Sequence, residues 1–130
     1  MKKITGLGKE PIFSPIVADY YSGMLVSVPL YAELLKGSPT PEKIQEFFAN
    51  YYAGQRFISV MPYGAEAESK GFLSGNARSG WDGLEIYVTG NPERILLSAR
   101  FDNLGKGASG AAIQCLNIML GCEEDKGLNV

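Results

Sequence analysis

The spacing of apolar residues changes several times along the chain, and each change marks an element. In 24-MLVSVPLYAELL-35, Met24, Val26 and Val28 alternate with Leu25, Ser27 and Pro29. A period of two predicts a strand, and Pro29 puts it near a sheet edge because proline cannot donate to a ladder. Before it, 11-PIFSPIV-17 is a short extended piece kept out of a sheet centre by its two prolines. In 38-SPTPEKIQEFFANYYAG-54 the period lengthens. Ile44, Phe47, Phe48 and Tyr51 have the spacing of a core-facing helical stripe. Thr40 suits the N-cap, Pro41 the first turn, Glu42 the positive end of the dipole, and Gly54 the stop. Thr40→Ala is expected to cost about 1 kcal/mol.

Beyond the helix, 57-FISVMP-62 has strand composition, and residues 63–82, rich in glycine and serine, make a long irregular connection. In 84-LEIYVTG-90, Leu84, Ile86 and Val88 alternate with Glu85, Tyr87 and Thr89; after the turn at Gly90, Asn91 and Pro92, 95-ILLSARF-101 returns. That is a hairpin. Strands, helix, three strands and a final helix predict an α+β fold, with a mostly antiparallel or mixed sheet covered on one face by the Thr40 helix. The other face is expected to be open and rich in Val, Ile, Leu and Tyr, and so to mediate self-association.

The final helix sets the main problem. In 105-GKGASGAAIQCLNIMLG-121 apolar residues lie on almost every side, and Gln114 and Asn117 continue a line from Gly110 to Gly121. A helix apolar nearly all round is buried nearly all round. The Thr40 helix already needs the sheet, so the last helix is either sandwiched within this domain or covered by a second surface. The turn before it is not a P-loop, which requires GxxxxGK[ST]. Gly105, Gly107 and Gly110 match the spacing G-x-G-x-x-G but stand where no second parallel strand follows. What remains is a helix N-terminus beside Lys106, a ready site for an anion or an amide oxygen.

The totals narrow the chemistry. The 130 residues suit one domain, with 45% hydrophobic and 20% charged residues. A net charge of −2 with acids and bases interspersed gives no basic stripe for nucleic acid and no polybasic membrane anchor. No apolar run is long enough to span a bilayer, and the opening MKKITGLGKE is not a signal peptide. There is no histidine, which removes the commonest general base and the commonest metal ligand. A metal site is not expected. Cys115 and Cys122 lie about 10 Å apart along a helix, too far for a disulfide, and are expected as reduced thiols of a cytoplasmic protein. Cys115, among Ile113, Leu116 and Met119, is expected to be buried and inert, with Cys122 more exposed. Glu66 and Glu68 belong to a solvated loop, and Tyr20 and Tyr21 to sheet-edge packing.

The stretch 101-FDNLGKGASGAAIQCLNIMLG-121 resembles the C-terminal signature of N-acetyl-gamma-glutamyl-phosphate reductases: a strand ending in Asp-Asn, then Lys-Gly-Ala, then a helix with Gln and Asn and a closing Leu-Gly. The likeness extends through 12-IFSPIVADYYSGMLVSVPL-30, 57-FISVMP-62 and the hairpin. It departs at Gly80-Trp81-Asp82, where the family often carries Gly-Thr-Asn or Gly-Ser-Asn. The resemblance implies a C-terminal domain like that of glyceraldehyde-3-phosphate dehydrogenase-type enzymes. It spans 1–130 as a single substrate and oligomerisation domain, with the nucleotide-binding domain absent from this chain. On that expectation the chain is an excised domain, cut just after the family's catalytic histidine, and inactive alone.

The reaction implied for the parent enzyme is the reductive dephosphorylation of an acyl phosphate to a semialdehyde with NADPH, a step of arginine biosynthesis. Asn103 would reach the nicotinamide carboxamide, and Lys106, Gly107 and Ala108 would form the helix start beside NADP, most of which the absent domain would bind. No catalytic residue is expected in this chain. Implied partners are further copies through the sheet and the enzyme's own nucleotide-binding domain, covering the last helix. From the residues alone, Asn103 serves equally as a turn residue and Lys106 as a solvated side chain. A stand-alone small-molecule-binding or oligomerisation module remains the alternative.

Overall fold

The fold, a computed structural model, describes residues 1–130, the side chain of residue 69 aside. A short helix α1 (Lys2–Thr5) opens the chain, followed by a segment without regular structure, exposed up to Tyr21 and buried at Ser22, that leads into β1 (Met24–Tyr31). Helix α2 (Pro41–Tyr51), β2 (Ile58–Val60), the hairpin β3 (Leu84–Gly90) and β4 (Arg94–Phe101), and helix α3 (Gly110–Met119) follow. The sheet order is β1-β4-β3-β2. The hairpin and the β1–β4 pair are antiparallel, whereas β2 runs parallel to β3. The fold is α+β with a mixed sheet, as expected, and β1 is the edge strand that Pro29 predicts.

Local chemistry explains the elements. The Thr40 hydroxyl oxygen accepts from the Lys43 amide at 3.5 Å, and Pro41 occupies the first turn of α2. The hairpin loop closes on Asn91, whose Oδ1 accepts from the amides of Glu93 (3.0 Å) and Arg94 (2.9 Å). Gly90 has φ 110°, and a Cβ there would strike the carbonyl oxygen of Arg94, so the turn requires glycine.

Register sets the faces. Val88 pairs with Leu97, Gly90 with Ile95, and Leu30 with Ile95, so these side chains share one face. There Val88, Ile95 and Ala32 form the core with Ile44 of α2, flanked by Leu30, Leu35, Phe48 and Leu97. The expected stripe on α2 is half right: Ile44 is buried and Phe48 half-buried, but Phe47 and Tyr51 are exposed. The inward line runs Pro41, Ile44, Phe48, and the two flanking aromatics stack on each other instead, with centroids 6.1 Å apart. Tyr21 is also exposed rather than packed at a sheet edge.

The face opposite α2 is not the expected apolar surface. Its centre is Glu85, buried and held between two arginines. Arg100 Nε donates to Glu85 Oε2 at 2.8 Å and Arg78 Nε to Oε1 at 2.8 Å, while the Tyr87 hydroxyl donates to Oε2 at 3.3 Å. Ser27 and Ser98 share a hydrogen bond of 2.9 Å beside them. Arg78 comes from the irregular connection and lies over the Trp81 ring, so this connection neutralises and covers a charge that the strand carries. Apolar surface is open on both faces: Leu25 and Leu96 flank this polar centre, and Met24, Val26 and Val28 of β1 are exposed on the α2 face.

Candidate functional site

The end of β4 is a junction where three distant parts of the chain meet. After Phe101 the backbone turns through Asp102 and Asn103 into a single π-helical turn (Gly105–Ser109) that runs on into α3. Asp102 is buried, and each oxygen of its carboxylate has two donors. Oδ1 accepts from the amides of Leu104 (2.7 Å) and Gly105 (3.3 Å); Oδ2 accepts from the Ser22 hydroxyl (3.1 Å) and the Gly80 amide. Burial alone would raise this carboxyl's pKa, but these donors outweigh it and hold it below the ordinary aspartate value. Asn103 makes a parallel tie, its Oδ1 accepting from the Gly23 amide at 2.7 Å.

These contacts revise one expectation. The helix start beside Lys106 is not a fully open anion site, because the Leu104 and Gly105 amides already point at the Asp102 carboxylate and the Gly107 amide at the Asp102 carbonyl. The glycines serve close packing. A Cβ on Gly105 or Gly110 would run into the Asp82 carboxylate, and one on Gly107 would lie 3.0 Å from the Phe101 ring.

Helix α3 is turned against the usual rule. Its buried residues are Gly110 and Asn117, and its polar line faces its own domain. Asn117 Nδ2 donates to the carbonyls of Glu124 (3.1 Å) and Lys126 (2.9 Å). Gln114 Nε2 donates to Glu124 Oε1 at 2.6 Å, and Gln114 Oε1 accepts from Lys106 Nζ. The chain after α3 is thereby held against the helix. It then reaches the 80–82 loop, where Asn129 exchanges backbone and side-chain hydrogen bonds with Asp82 and Gly80. The apolar residues point outward: Ile118 is 60% exposed, Met119 82% and Leu120 67%. Of the two packings open from the sequence, α3 is therefore not sandwiched within this domain. Cys115 is exposed, not core, because it sits on that outward side.

Between the π-helical turn and the sheet lies a cleft of about 330 Å³ lined by Met24, Leu84, Phe101, Asn103, Lys106 and Gly107. Three of the four residues singled out in the sequence line it; Ala108 is exposed and does not. The Lys106 ammonium sits 4.7 Å from the centroid of the Phe57 ring. Burial lowers its pKa, and Glu124, Cys115 and Asp82 only partly offset that. The cleft therefore combines apolar walls, one side-chain amide and one tethered cation. Asp102 was visible as the end of a strand in the Asp-Asn signature and Gln114 on the polar line of the last helix, but the four donors to Asp102 and the hold of Gln114 on Lys106 were not.

The comparisons agree on a family. The model of the semialdehyde dehydrogenase dimerisation domain matches residues 1–103. N-acetyl-gamma-glutamyl-phosphate reductase 2 of Nostoc sp. (strain PCC 7120) is 43% identical over 132 residues, covering 98% of this chain and 41% of that protein. The reductase of Trichormus variabilis is 42% identical with the same coverage. That of Brucella ovis is 41% identical over 117 residues, covering 88% of this chain and 37% of that protein. The chain thus spans about two-fifths of the length of these curated relatives. With a mixed sheet, a helix on one face and a Gly-rich turn leading into an outward-facing last helix, the chain belongs to the semialdehyde dehydrogenase dimerisation-domain family.

Proposed function

We propose that this chain acts as the C-terminal domain of an NADP-dependent N-acetyl-gamma-glutamyl-phosphate reductase, a cytoplasmic enzyme of arginine biosynthesis. In it, an acyl phosphate is reduced to a semialdehyde with release of phosphate. The observation that carries the reading is the outward apolar side of α3. Ile118, Met119 and Leu120 form a surface suited to a second domain, while the helix's polar side is occupied by its own chain. On this reading the nucleotide-binding domain of the same enzyme covers that surface, and the cleft beside Asn103 and Lys106 lies where the two domains meet. Further copies associate through the sheet, with Met24, Val26 and Val28 as the open apolar strip.

The cleft fits a nicotinamide ring by the chemistry of its donors. Its walls are apolar, Asn103 has its oxygen engaged with Gly23 and its NH2 left to donate to a carboxamide oxygen, and Gly107 removes side-chain bulk. Lys106, tethered to Gln114, and Ala108 complete the rim. When bound, the nicotinamide supplies the hydride. The residues of this chain orient its ring and exclude water from one side. The thiolate that attacks the acyl phosphate and expels phosphate belongs to the partner domain, since Cys115 lies on the outward side of α3 and does not line the cleft.

Complementation tests the reading. The chain and the separately produced nucleotide-binding part of a relative's reductase are assayed alone and together for acyl-phosphate-dependent NADPH oxidation. Turnover is expected only in the mixture, and Ile118→Lys should abolish it. A folded mixture that stays inactive, or turnover by this chain alone that survives Cys115→Ser, overturns the proposal.

A further inference from the structure

The junction after β4 contains a carboxylate that no step of the chemistry uses. Asp102 is 3% exposed, and its four donors come from three separate segments: Ser22 before β1, Gly80 in the long connection, and Leu104 and Gly105 in the turn itself. Its neighbour Asn103 reaches back to Gly23, beside Ser22. The Gly107 amide donates to the Asp102 carbonyl at 2.8 Å, so the main chain of the same residue also fixes the start of the π-helical turn. Asn103 and Lys106, the polar residues of the cleft, stand one and four residues further on.

We propose that Asp102 is the positioning residue of this cleft: its carboxylate holds the segments around Ser22, Gly80 and Leu104–Gly105 together, and so sets where the Asn103 amide and Lys106 ammonium point. This rests on the reading of the cleft as a nicotinamide site. Neighbouring charges do not replace the carboxylate. The Asp82 carboxylate reaches the same turn but bonds the Asn129 amide, and Lys106 is turned away toward Gln114. Nor is a neutral side chain equivalent. Three of the four groups aimed at Asp102 are backbone amides that can only donate, so an amide side chain in its place would set its own NH2 against Gly80 on one side or against Leu104 and Gly105 on the other; only the Ser22 hydroxyl could turn to accept. The rigidity also has a use: an amide that must meet a carboxamide needs its position fixed to a fraction of an ångström, and a turn alone does not supply that.

Asp102→Asn in the full 130-residue chain tests this by NMR. In the parent chain the Asn103 side-chain NH2 should give one sharp pair of resonances, with the Gly23 amide protected from exchange. In Asp102→Asn the pair should broaden or split. The amides of Gly23, Gly80, Leu104 and Gly105 should exchange at least tenfold faster, while those of Ile86 to Thr89 in β3 keep their protection. Loss of protection in β3 to the same degree would mean a general structural role and overturn the proposal, as would an unchanged Gly23 amide. If the variant does not fold, the parent chain decides. Gly80, Leu104 and Gly105 should then share one opening equilibrium, because one carboxylate accepts from all three, and three unrelated rates would overturn it. Nicotinamide mononucleotide is then added at millimolar concentration to the parent chain. A shift of the Asn103 NH2 resonances supports the cleft reading. No shift overturns that reading alone, since the positioning result is obtained without ligand.

Discussion

The inverted orientation of α3 leads to an unusual stability prediction: removing a polar side chain should hurt more than adding a charge. Asn117 is 7% exposed, and its Nδ2 supplies hydrogen bonds to the carbonyls of Glu124 and Lys126. In Asn117→Ala both carbonyls lose their donor in a partly buried site. At about 1–3 kcal/mol for each group left fully unsatisfied, and with water able to reach the exposed tail, the cost is about 1–3 kcal/mol. Met119, two residues on, retains only about a fifth of its burial. Against roughly 1.5–3 kcal/mol for a fully buried side chain, Met119→Lys should cost no more than about 0.6 kcal/mol. Urea denaturation at low protein concentration, followed by far-UV circular dichroism and compared at equal slope, measures both. A Met119→Lys cost above 2 kcal/mol together with a neutral Asn117→Ala would refute the orientation, because the apolar side would then be packed in solution. Sedimentation gives a second reading: Met119→Lys should reduce any self-association at tens of micromolar without altering the monomer's stability.

Gly110→Ala should destabilise by about 1–3 kcal/mol, since its Cβ would lie 2.8 Å from the carbonyl group of Gly105; a wild-type urea midpoint would contradict the packing. Glu85→Gln should cost about 3 kcal/mol, at the low end for breaking a buried ion pair because Arg78 is partly exposed, whereas conservative changes at exposed Glu42 should be neutral. The Glu85 carboxyl is pulled up by burial but held below its ordinary value by Arg78 and Arg100, and Asp102 is likewise held low. A depressed carboxyl stabilises the fold fully above its unfolded pKa, near 4, and loses that contribution as pH falls through the folded value. Stability should therefore be flat from about pH 7 to 5 and fall steeply below about 4, more gently in Glu85→Gln; a parent chain equally stable at pH 3 and 7 would contradict both assignments.

What the sequence made legible was local. The α2 start needed only Thr40 and Pro41, and the hairpin only the alternation around Gly90–Asn91, so both appeared in the pattern and in the fold. The parallel pairing of β2 with β3 depends on a connection of more than twenty residues, about which alternation says nothing. The second sheet face was misjudged for a related reason. Glu85 and Arg100 sit opposite each other in register, but the second arginine arrives from the irregular stretch, so the centre of the face could not be seen from the strands alone. On α3 the line Gly110, Gln114, Asn117 and Gly121 was visible, but not its direction. Whether a polar stripe faces in or out depends on what needs its donors, and here that was the backbone of Glu124 and Lys126. Cys115 was misplaced with it. Among the cleft residues, Asn103, Lys106 and Gly107 are close together in sequence, whereas Met24 and Leu84 come from strands distant in sequence.

The glycine spacing in the turn gains its meaning from the two carboxylates beside it. In a phosphate-binding turn, glycines clear the way for an external anion to reach free amides at a helix start. Here Gly105, Gly107 and Gly110 clear the way for Asp82, Asp102 and the Phe101 ring, all from the same chain. A diphosphate at this position would meet Leu104, Gly105 and Gly107 amides that are already taken and two carboxylates at close range, an arrangement that repels it. Neutral groups suffer no such penalty. The neutral polar side chain lining the cleft is the Asn103 amide, and an amide pairs well with a carboxamide. Under the proposed function this divides the work in one way only. The charged end of the dinucleotide falls to the other domain, and this chain meets the uncharged carboxamide. Lys106→Met should then leave nucleotide affinity in the assembled enzyme nearly unchanged, whereas a lysine that bound phosphate would lose affinity in a strongly salt-dependent manner when removed. A marked, salt-sensitive drop in NADP affinity for Lys106→Met would show that the turn does serve the phosphates, and the argument from its internal carboxylates would fail.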